Sequence, residues 1–217
     1  MRENVTRSAY IIIDMQRGFV DRDSVHCIAG AAATVPACVR TMETARKKGI
    51  PVIWVRRIYR SDGSDVEMTR YAGWQQGGRQ MEPGSKGMEW AEGLQPQPGD
   101  YIVTKPRWSG FFGTELDLIL RRLNVRTVVL AGTTTPNCIR TTAYDAIALD
   151  YNVAVLTDCC SSQTEEIQRV NLEDMERVGA VLLNEHEFAD FNGLEDTAAA
   201  IREAMLAPDW PMPESVE

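Results

Sequence analysis

The chain has 217 residues, which is enough for one sizeable domain with a well-filled core. Its apolar fraction of 44% and charged fraction of 25% are ordinary for a globular protein, and no internal repeat or low-complexity segment is visible. The formal net charge of −8, with the basic residues scattered, argues against nucleic-acid binding, because phosphate contacts require clustered lysine and arginine.

Short apolar runs alternate with amphipathic stretches along the chain. The apolar runs predict β-strands at residues 9–14, 51–55, 101–105, 126–131, 152–156 and 180–183. The amphipathic stretches predict helices at residues 31–48, 114–123, from near Cys138 onward, 163–178 and 194–206. Strands separated by helices form βαβ units with right-handed crossovers. The sequence therefore predicts a three-layer α/β/α domain, in which helices cover both faces of a parallel sheet of five or six strands.

One segment, residues 59–99, departs from this alternation. It is long and rich in glycine, arginine, glutamine, methionine and tryptophan, and connections of that length in a compact domain are usually functional or disordered. Its Trp74 and Trp90 predict a packed lid or an oligomer contact. We assign residues 1–192 to the domain, with this insert, and residues 193–217 to a C-terminal helix followed by a proline-rich tail.

Three polar residues lie at or beyond the carboxyl ends of predicted strands, at the edge of the sheet where ligands bind in parallel α/β proteins. They are Asp14, Lys105 and, in the segment GTTTPNCIRTTAYDA, Cys138. Each alone has an ordinary structural explanation, as a turn cap, a solvated lysine or a small core residue. Together they suggest a nucleophile, because a nearby cation and a helix N-terminus lower the pKa of a thiol. The two histidines, His26 and His186, are expected to be structural.

The five cysteines are an odd number, without the spacing of a disulfide framework or a zinc site. No apolar run approaches membrane-spanning length, and the N-terminal segment, whose short apolar run meets Asp14, is a poor signal peptide. We therefore expect free thiols, a cytoplasmic location and no membrane partner. The vicinal pair Cys159 and Cys160 lacks the spacing of a redox motif and is expected to be structural.

Three stretches match one known family in order, residue type and spacing. They are IIIDMQRGF (residues 11–19), KPRWSGFFGTELDLILRRLNV (105–125) and VVLAGTTTPNCIRTTAYDAIALDYNVAVLTDCCSS (128–162). On these the chain resembles the isochorismatase-like cysteine hydrolase superfamily, which includes nicotinamidases, N-carbamoylsarcosine amidase, biuret hydrolase and ureidoacrylate amidohydrolases. The resemblance covers most of residues 9–183 and implies a Rossmann-like parallel sheet of about six strands.

The resemblance also implies a catalytic triad of Asp14, Lys105 and Cys138. Family members carry a non-proline cis peptide shortly before the cysteine, which here would join Thr133 and Thr134. That bond would turn the Thr134 amide toward the Cys138 amide, so that the two form an oxyanion hole. The implied activity is metal-independent and cofactor-free hydrolysis of a small amide, carbamoyl or ureido compound through a thioester, in a homo-oligomer such as a dimer or tetramer.

The chain departs from some relatives in ways that bear on its chemistry. Nicotinamidases bind a metal through an Asp-x-His pair after the second strand and another histidine, whereas residues 54–59 here contain no histidine. True isochorismatases lack the cysteine and cleave a vinyl ether with the aspartate. Two alternatives therefore stay open: a vinyl-ether hydrolase in which Cys138 is a bystander, and a catalytically inactive relative that serves as a binding protein.

The substrate pocket is less readable than the triad. Gln16 matches the family's Asp-x-Gln pattern, and we assign it, with Phe19, Trp108 and Phe111, to the pocket, although core packing explains the aromatic residues equally well. Several arginines could bind a substrate carboxylate through paired hydrogen bonds, and the sequence does not choose among Arg56, Arg57, Arg60, Arg70 and Arg79.

Overall fold

Six parallel strands form the centre of the molecule. The computed structural model describes residues 6–206, apart from the side chains of residues 197–199. Its strands are β1 (Ser8–Ile13), β2 (Val52–Arg57), β3 (Tyr101–Lys105), β4 (Thr127–Thr133), β5 (Asn152–Ser161) and β6 (Val181–Leu183). They form one sheet in the order β3-β2-β1-β4-β5-β6, which confirms the predicted fold class.

Helices cover both faces of this sheet. They are α1 (Arg17–Val20), α2 (Ala31–Lys47), α3 (Tyr71–Gln76), α4 (Leu116–Arg122), α5 (Arg140–Ala148), α6 (Glu165–Arg177), α7 (Glu185–Asp190) and α8 (Thr197–Met205). Because side chains alternate across a strand, Ile11 and Ile13 face one core, with α4, α5 and α6. Tyr10 and Ile12 face the other core, with α2 and α7. Burial of strands on both faces explains why the sequence reads as continuous apolar runs.

The order of the strands locates the functional edge. The chain proceeds outward from β1 through β2 to β3, then returns to the other side of β1 with β4. The direction of the connections therefore reverses between β1 and β4, and ligands of open α/β sheets bind outside the carboxyl ends of the strands at such a point. Ile13 at the end of β1 pairs with Gly132 near the end of β4, so the residues that follow these strands are neighbours.

Strand β5 is longer than predicted. Residues 152–156 were expected to form the whole strand, but β5 runs on to Ser161, with a shift in its register against β4 between Leu130 and Gly132. Cys159 and Cys160 therefore lie within the strand, and they face opposite cores. Both are free thiols, and alternation along the strand accounts for their burial.

The insert of residues 59–99 lies between β2 and β3 and packs against the domain. Besides α3 it contains a short 3₁₀ turn, Lys86–Met88. Tyr59 and Trp74 belong to a small apolar cluster of the insert, and Trp90 packs on Trp54 with ring centroids 4.8 Å apart. Both tryptophans of the insert thus have partners within the chain, as a packed lid requires.

At the C-terminal end, the predicted helix is present as α8. The proline-rich tail predicted for residues 207–217 lies outside the described residues. None of the helices within residues 6–206 is long and apolar enough to cross a membrane.

Candidate active site

Asp14, Lys105 and Cys138 meet at the switch point, although they are far apart in the sequence. Asp14 directly follows β1, Lys105 ends β3, and Cys138 lies in a π-helical turn, Thr135–Ile139, between β4 and α5. Lys105 Nζ lies 2.7 Å from Asp14 Oδ2 and 3.6 Å from Cys138 Sγ. All three side chains are buried.

The backbone brings these groups together through a close contact between β1 and β4. Gly132 has a φ of +116°, and a Cβ atom there would lie 2.1 Å from the Ile13 carbonyl oxygen. Only glycine fits this approach. Asp14 itself takes a left-handed conformation, with a φ of +54°, and its amide donates to Val55 O at 2.8 Å. The chain therefore turns sharply just after β1, between β2 and β4.

The Asp14 carboxylate uses its two oxygens differently. Oδ2 accepts the hydrogen bond from Lys105, whereas the buried Oδ1 has no hydrogen-bond partner among the described residues. A buried carboxylate oxygen without a donor is costly, and such atoms in native structures call for an explanation. A thiol, a water molecule or a substrate N–H at this point would satisfy it.

The Lys105 ammonium is held by three acceptors. Besides Asp14 and Cys138 it donates to the Arg107 carbonyl oxygen at 3.0 Å. Because an ammonium group has three N–H donors, all of its hydrogen-bonding capacity is used in one geometry. A fully buried lysine is tolerated only when it is paired in this way.

Two cations lie beside the Cys138 sulfur, yet the thiol does not become more acidic. Burial raises the pKa of Cys138, and the negative charge of Asp14 raises it further, while Lys105 and Arg57 lower it. The net direction is upward, so the sequence-based expectation of a lowered pKa is wrong. The raised pKa favours the neutral thiol over the thiolate, so a neighbouring proton acceptor would be needed to make the sulfur a nucleophile.

Ser161, at the end of β5, forms hydrogen bonds with all three threonines that precede Cys138. The Ser161 hydroxyl donates to Thr133 Oγ1 at 3.0 Å, and the hydroxyls of Thr134 and Thr135 both donate to the Ser161 carbonyl oxygen at 3.1 Å. The peptide bond between Thr133 and Thr134 is cis. These contacts fix the backbone that leads from β4 to Cys138.

Arg57 is a second buried cation at the site, and the sequence did not single it out from the other arginines. Its Nη2 lies 3.9 Å from Cys138 Sγ, and its Nη1 donates to Glu67 Oε1 at 2.7 Å and to the Tyr59 hydroxyl. Gln16 fixes the Arg57 backbone from the other side, because it accepts from the Arg57 amide and donates to the Arg57 carbonyl oxygen.

The insert supplies the counter-charge for Arg57. Burial opposes ionisation of Glu67, but Arg57 and the Tyr59 hydroxyl outweigh it, so the pKa of Glu67 is lowered. Burial raises the pKa of Tyr59 to about 12, which keeps its hydroxyl protonated, and it donates to Glu67 Oε2 at 2.6 Å. The insert is thereby tied electrostatically to the edge of the sheet.

A cavity of about 530 Å³ opens onto the sulfur, and Asp14, Arg57, Thr134 and Cys138 form part of its wall. The insert contributes a third of the lining residues: Tyr59, Thr69, Arg70, Gly73, Trp74, Gln80 and Met81. The volume is that of a pocket for a small molecule.

Of the four residues assigned to the pocket from the sequence, only one lines the cavity. Phe19 lines the cavity, whereas Gln16, Trp108 and Phe111 are not among the lining residues. Gln16 is buried in contact with Arg57, and Phe111 stacks on Tyr151 with ring centroids 5.9 Å apart. Trp108 is 39% exposed and lies under the guanidinium group of Arg70, which does line the cavity.

His26 was expected to be structural, but it lies on the cavity wall. Burial lowers its pKa, and the positive charges of Arg70 and Arg57 lower it further. His186, the second residue of α7, is not among the lining residues. The path of a loop decides whether its histidine meets a cavity, and no local sequence pattern encodes that path.

The residues after β2 do not fit a metal site. Arg57 and Tyr59 occupy this position and present a guanidinium group and a protonated hydroxyl, neither of which is a metal ligand. Within residues 6–206, no three histidine, cysteine, aspartate or glutamate side chains are grouped so that they could hold a metal ion.

Comparison with known proteins agrees with this fold. The Isochorismatase domain family matches residues 8–187. A probable inactive nicotinamidase of Arabidopsis thaliana is 39% identical over 195 residues, which are 88% of this chain and 98% of the plant protein. The ureidoacrylate amidohydrolase RutB of Azorhizobium caulinodans is 29% identical over 191 residues, 79% of this chain and 84% of that protein.

A solved structure is similar over nearly the same region. The crystal structure of an isochorismatase family protein from Desulfovibrio vulgaris subsp. vulgaris str. Hildenborough is 41% identical to this chain and superposes with a TM-score of 0.82. The match covers 85% of this chain and 97% of the crystallised one.

Proposed function

The chain belongs to the isochorismatase family of hydrolases, and from that premise we propose that it is a metal-independent cysteine amidohydrolase. Its substrate is a small amide, carbamoyl or ureido compound, cleaved at a C–N bond through a thioester on Cys138. One observation carries the proposal: a thiol on the wall of the cavity lies 3.6 Å from a buried ammonium group, which also binds a carboxylate with one oxygen unpartnered.

In the first half-reaction Asp14 Oδ1 takes the proton of Cys138, and the sulfur attacks the carbonyl carbon of the substrate. The backbone amides of Thr134 and Cys138 stabilise the resulting oxyanion, a contribution of about 2.7–4 kcal/mol for one such donor. Asp14 then gives its proton to the leaving nitrogen as the C–N bond breaks. Ammonia or an amine departs, and the acyl group remains as a thioester.

In the second half-reaction water replaces the amine. Asp14, again ionised, takes a proton from the water molecule as its oxygen attacks the thioester carbonyl. The C–S bond breaks, the proton held by Asp14 returns to the sulfur, and the acid product leaves. Lys105 lies beside both the carboxylate and the sulfur, so it stabilises whichever of the two is negatively charged.

Charge conservation favours this pathway. Transfer of a proton from Cys138 to Asp14 moves one negative charge between two acceptors of the same ammonium group. No charge is created in the buried site, so the transfer avoids the desolvation cost of a new ion. The raised pKa of Cys138 is compatible with this step, because Asp14 accepts the proton within the closed site.

Two alternatives are tested by the same experiment. A vinyl-ether hydrolase would use Asp14 and leave Cys138 without a role. A non-catalytic binding protein is favoured by the name of the Arabidopsis relative, a probable inactive nicotinamidase. The name of the RutB relative favours a ureido substrate, so a test panel contains nicotinamide, ureido acids and simple amides.

The experiment is ammonia release from this panel by the wild type and by Cys138→Ala. We expect release by the wild type and none by the variant. Cys38→Ala is the matched control, because Cys38 is a buried cysteine of α2 in the core on the other face of the sheet. Activity that survives Cys138→Ala would overturn the cysteine mechanism, and silence of the wild type on every compound would favour the vinyl-ether hydrolase or the binding protein over the amidohydrolase.

A further inference from the structure

We propose that the substrate is an amide or ureido acid, and that Arg70 binds its carboxylate at a subsite away from the sulfur. This rests on the proposed function, which it deepens by naming the charge of the substrate. The assignment comes from the charges of the cavity wall and from the surroundings of Arg70.

The other charged groups near Cys138 are already paired. Lys105 binds Asp14 at 2.7 Å, and Arg57 binds Glu67 at 2.7 Å. Each pair is largely buried and electrically neutral. Lys105 or Arg57 could therefore bind a charged ligand only by giving up its carboxylate partner. Asp14 is the one carboxylate among the lining residues in the described part of the chain.

Arg70 is different from these residues. It lies on the cavity wall, immediately before α3 in the insert, and its guanidinium group has no hydrogen bond or ion pair among residues 6–206. Its guanidinium carbon lies 5.6 Å from the centroid of the Trp108 ring. The ring covers one face of the guanidinium group and leaves its N–H edge unused.

This arrangement suits a carboxylate. A guanidinium group presents N–H donors in a planar fork that matches the two oxygens of a carboxylate, and stacking on an aromatic ring fixes the plane of that fork. The unpaired guanidinium group of Arg70 carries one positive charge, which a single substrate carboxylate would balance. Trp108 thus has a different role from the one predicted from the sequence: its ring orients Arg70 and does not contact the substrate.

His26 reports on the same region of the cavity. Arg70 and Arg57 both act electrostatically on His26, so a negative charge bound at Arg70 must also be felt by this imidazole. The chain has only two histidines, and His186 lies outside the cavity wall. His26 is therefore a probe of the subsite, with an internal reference in the same molecule.

The kinetic test compares acids with neutral amides of the same length. The substrates are malonamate, succinamate and glutaramate, each paired with its diamide, and ammonia release gives kcat and KM. We expect the acid of at least one pair to have a kcat/KM roughly tenfold or more above its diamide, through KM. Arg70→Met should abolish that preference, and Arg70→Lys should restore part of it.

Arg60→Gln is the matched control. It removes one positive charge from the same insert, but the Arg60 side chain is 68% exposed and is not among the lining residues. We expect it to keep the preference for acids. Equal kcat/KM for acid and diamide at every length in the wild type, or an unchanged preference in Arg70→Met, would overturn the subsite.

A binding test separates this proposal from the proposed catalysis. The Cys138→Ala protein is titrated with each acid and each diamide, and the imidazole proton resonances are followed by NMR. We expect an acid, and not its diamide, to move the His26 signal while His186 stays fixed, and Arg70→Met to remove the effect. If this occurs but no compound is hydrolysed by the wild type, the subsite stands and the cysteine hydrolase proposal fails. Acids that bind no more tightly than diamides would overturn the subsite.

Discussion

The ammonium group of Lys105 is within 2.7 Å of the Asp14 carboxylate, and both side chains are shielded from solvent, at 0% and 1% exposure. The same ammonium group also reaches the sulfur of Cys138. It therefore lies beside both groups between which the proposed reaction moves a proton, the carboxylate and the thiol. A cation placed in this way stabilises the carboxylate before the transfer and the thiolate after it, so the closed site needs no further counter-charge.

This ion pair should contribute to stability as a unit. Asp14→Asn leaves a buried ammonium group without its partner, and Lys105→Met leaves a buried carboxylate, so each should lower the free energy of unfolding by about 3–5 kcal/mol. The double variant removes both charges and should cost less than the sum of the two. Urea denaturation of the four proteins measures this coupling, and all three variants should be inactive. Additive losses of stability would show that the two charges do not interact.

The pKa of Cys138 should respond in opposite directions to its two neighbours. Burial and Asp14 raise this pKa above the ordinary thiol value of 9.0. Because the thiolate is the form that iodoacetamide alkylates, the rate of alkylation should still be increasing at pH 9. Asp14→Asn removes a negative charge and should move the midpoint to lower pH. Lys105→Met removes a positive charge and should move it to higher pH.

Peptide mapping distinguishes Cys138 from the other thiols in that experiment. Cys27 is partly exposed and also lies on the cavity wall, so total labelling is not a sufficient readout. A midpoint for Cys138 that is the same in all three proteins would contradict the electrostatic account of the site.

The sequence predicted the sheet well because most of its strands are buried on both faces and read as apolar runs. It missed the second half of β5, where Thr157 and Asp158 interrupt the run. The strand continues past them because Cys160 and Ser161 pair with Gly132 and Thr133 of β4, and both polar side chains find hydrogen-bond partners. The Thr157 hydroxyl donates to Leu183 O at 3.3 Å, and Asp158 Oδ2 accepts from the Glu185 amide at 2.9 Å.

The candidate site was only partly readable for a related reason. Asp14, Lys105 and Cys138 lie at or just beyond the carboxyl ends of strands, and these ends share one edge of a parallel sheet. Arg70 and His26 reach the cavity from loops, whose paths depend on tertiary packing. The direction of the Cys138 pKa was also mistaken, since the sequence displays the cation and the helix but not the depth of burial that outweighs them.

Glu67 should stabilise the protein in a pH-dependent manner. Its pKa is lowered in the folded state, against the effect of burial, by Arg57 and Tyr59. A carboxyl group with a depressed pKa contributes stability above its unfolded value, near 4.5, and loses that contribution as the pH falls through the folded value. The difference in unfolding free energy between wild type and Glu67→Gln should thus be largest at neutral pH and shrink below pH 4.5.

Tyr59→Phe is the companion variant for Glu67. It removes one hydrogen bond to the carboxylate and leaves the ion pair with Arg57, so its effect should be the smaller of the two. A pH-independent difference between wild type and Glu67→Gln would mean that Glu67 does not titrate differently in the folded and unfolded states.

Hydrolysis should survive removal of metal ions. Arg57 ends β2 and Tyr59 lies just after it, and every proposed step uses groups of the protein and water alone. Dialysis against EDTA, followed by assay with and without added zinc, measures this on whichever amide proves to be hydrolysed. Loss of activity that zinc restores would overturn the metal-independent mechanism.

Gly132 should be the glycine whose replacement is most damaging at the switch point. In Gly132→Ala the new Cβ would meet the backbone of Ile13, 2.1 Å from its oxygen and 2.7 Å from its nitrogen, so β1 and β4 would have to separate.

Gly179→Ala is the matched control, because Gly179 has a similar φ of +104° but nothing lies within 4 Å of its Cβ position. Gly179→Ala should cost about 1–2 kcal/mol through backbone strain alone. Gly132→Ala should cost about 4 kcal/mol or more and should also lose activity, because Asp14 and the threonine run follow the two strands that it forces apart. Chemical denaturation of both variants measures the difference, and equal losses would mean that backbone conformation, and not the contact with Ile13, accounts for the glycine.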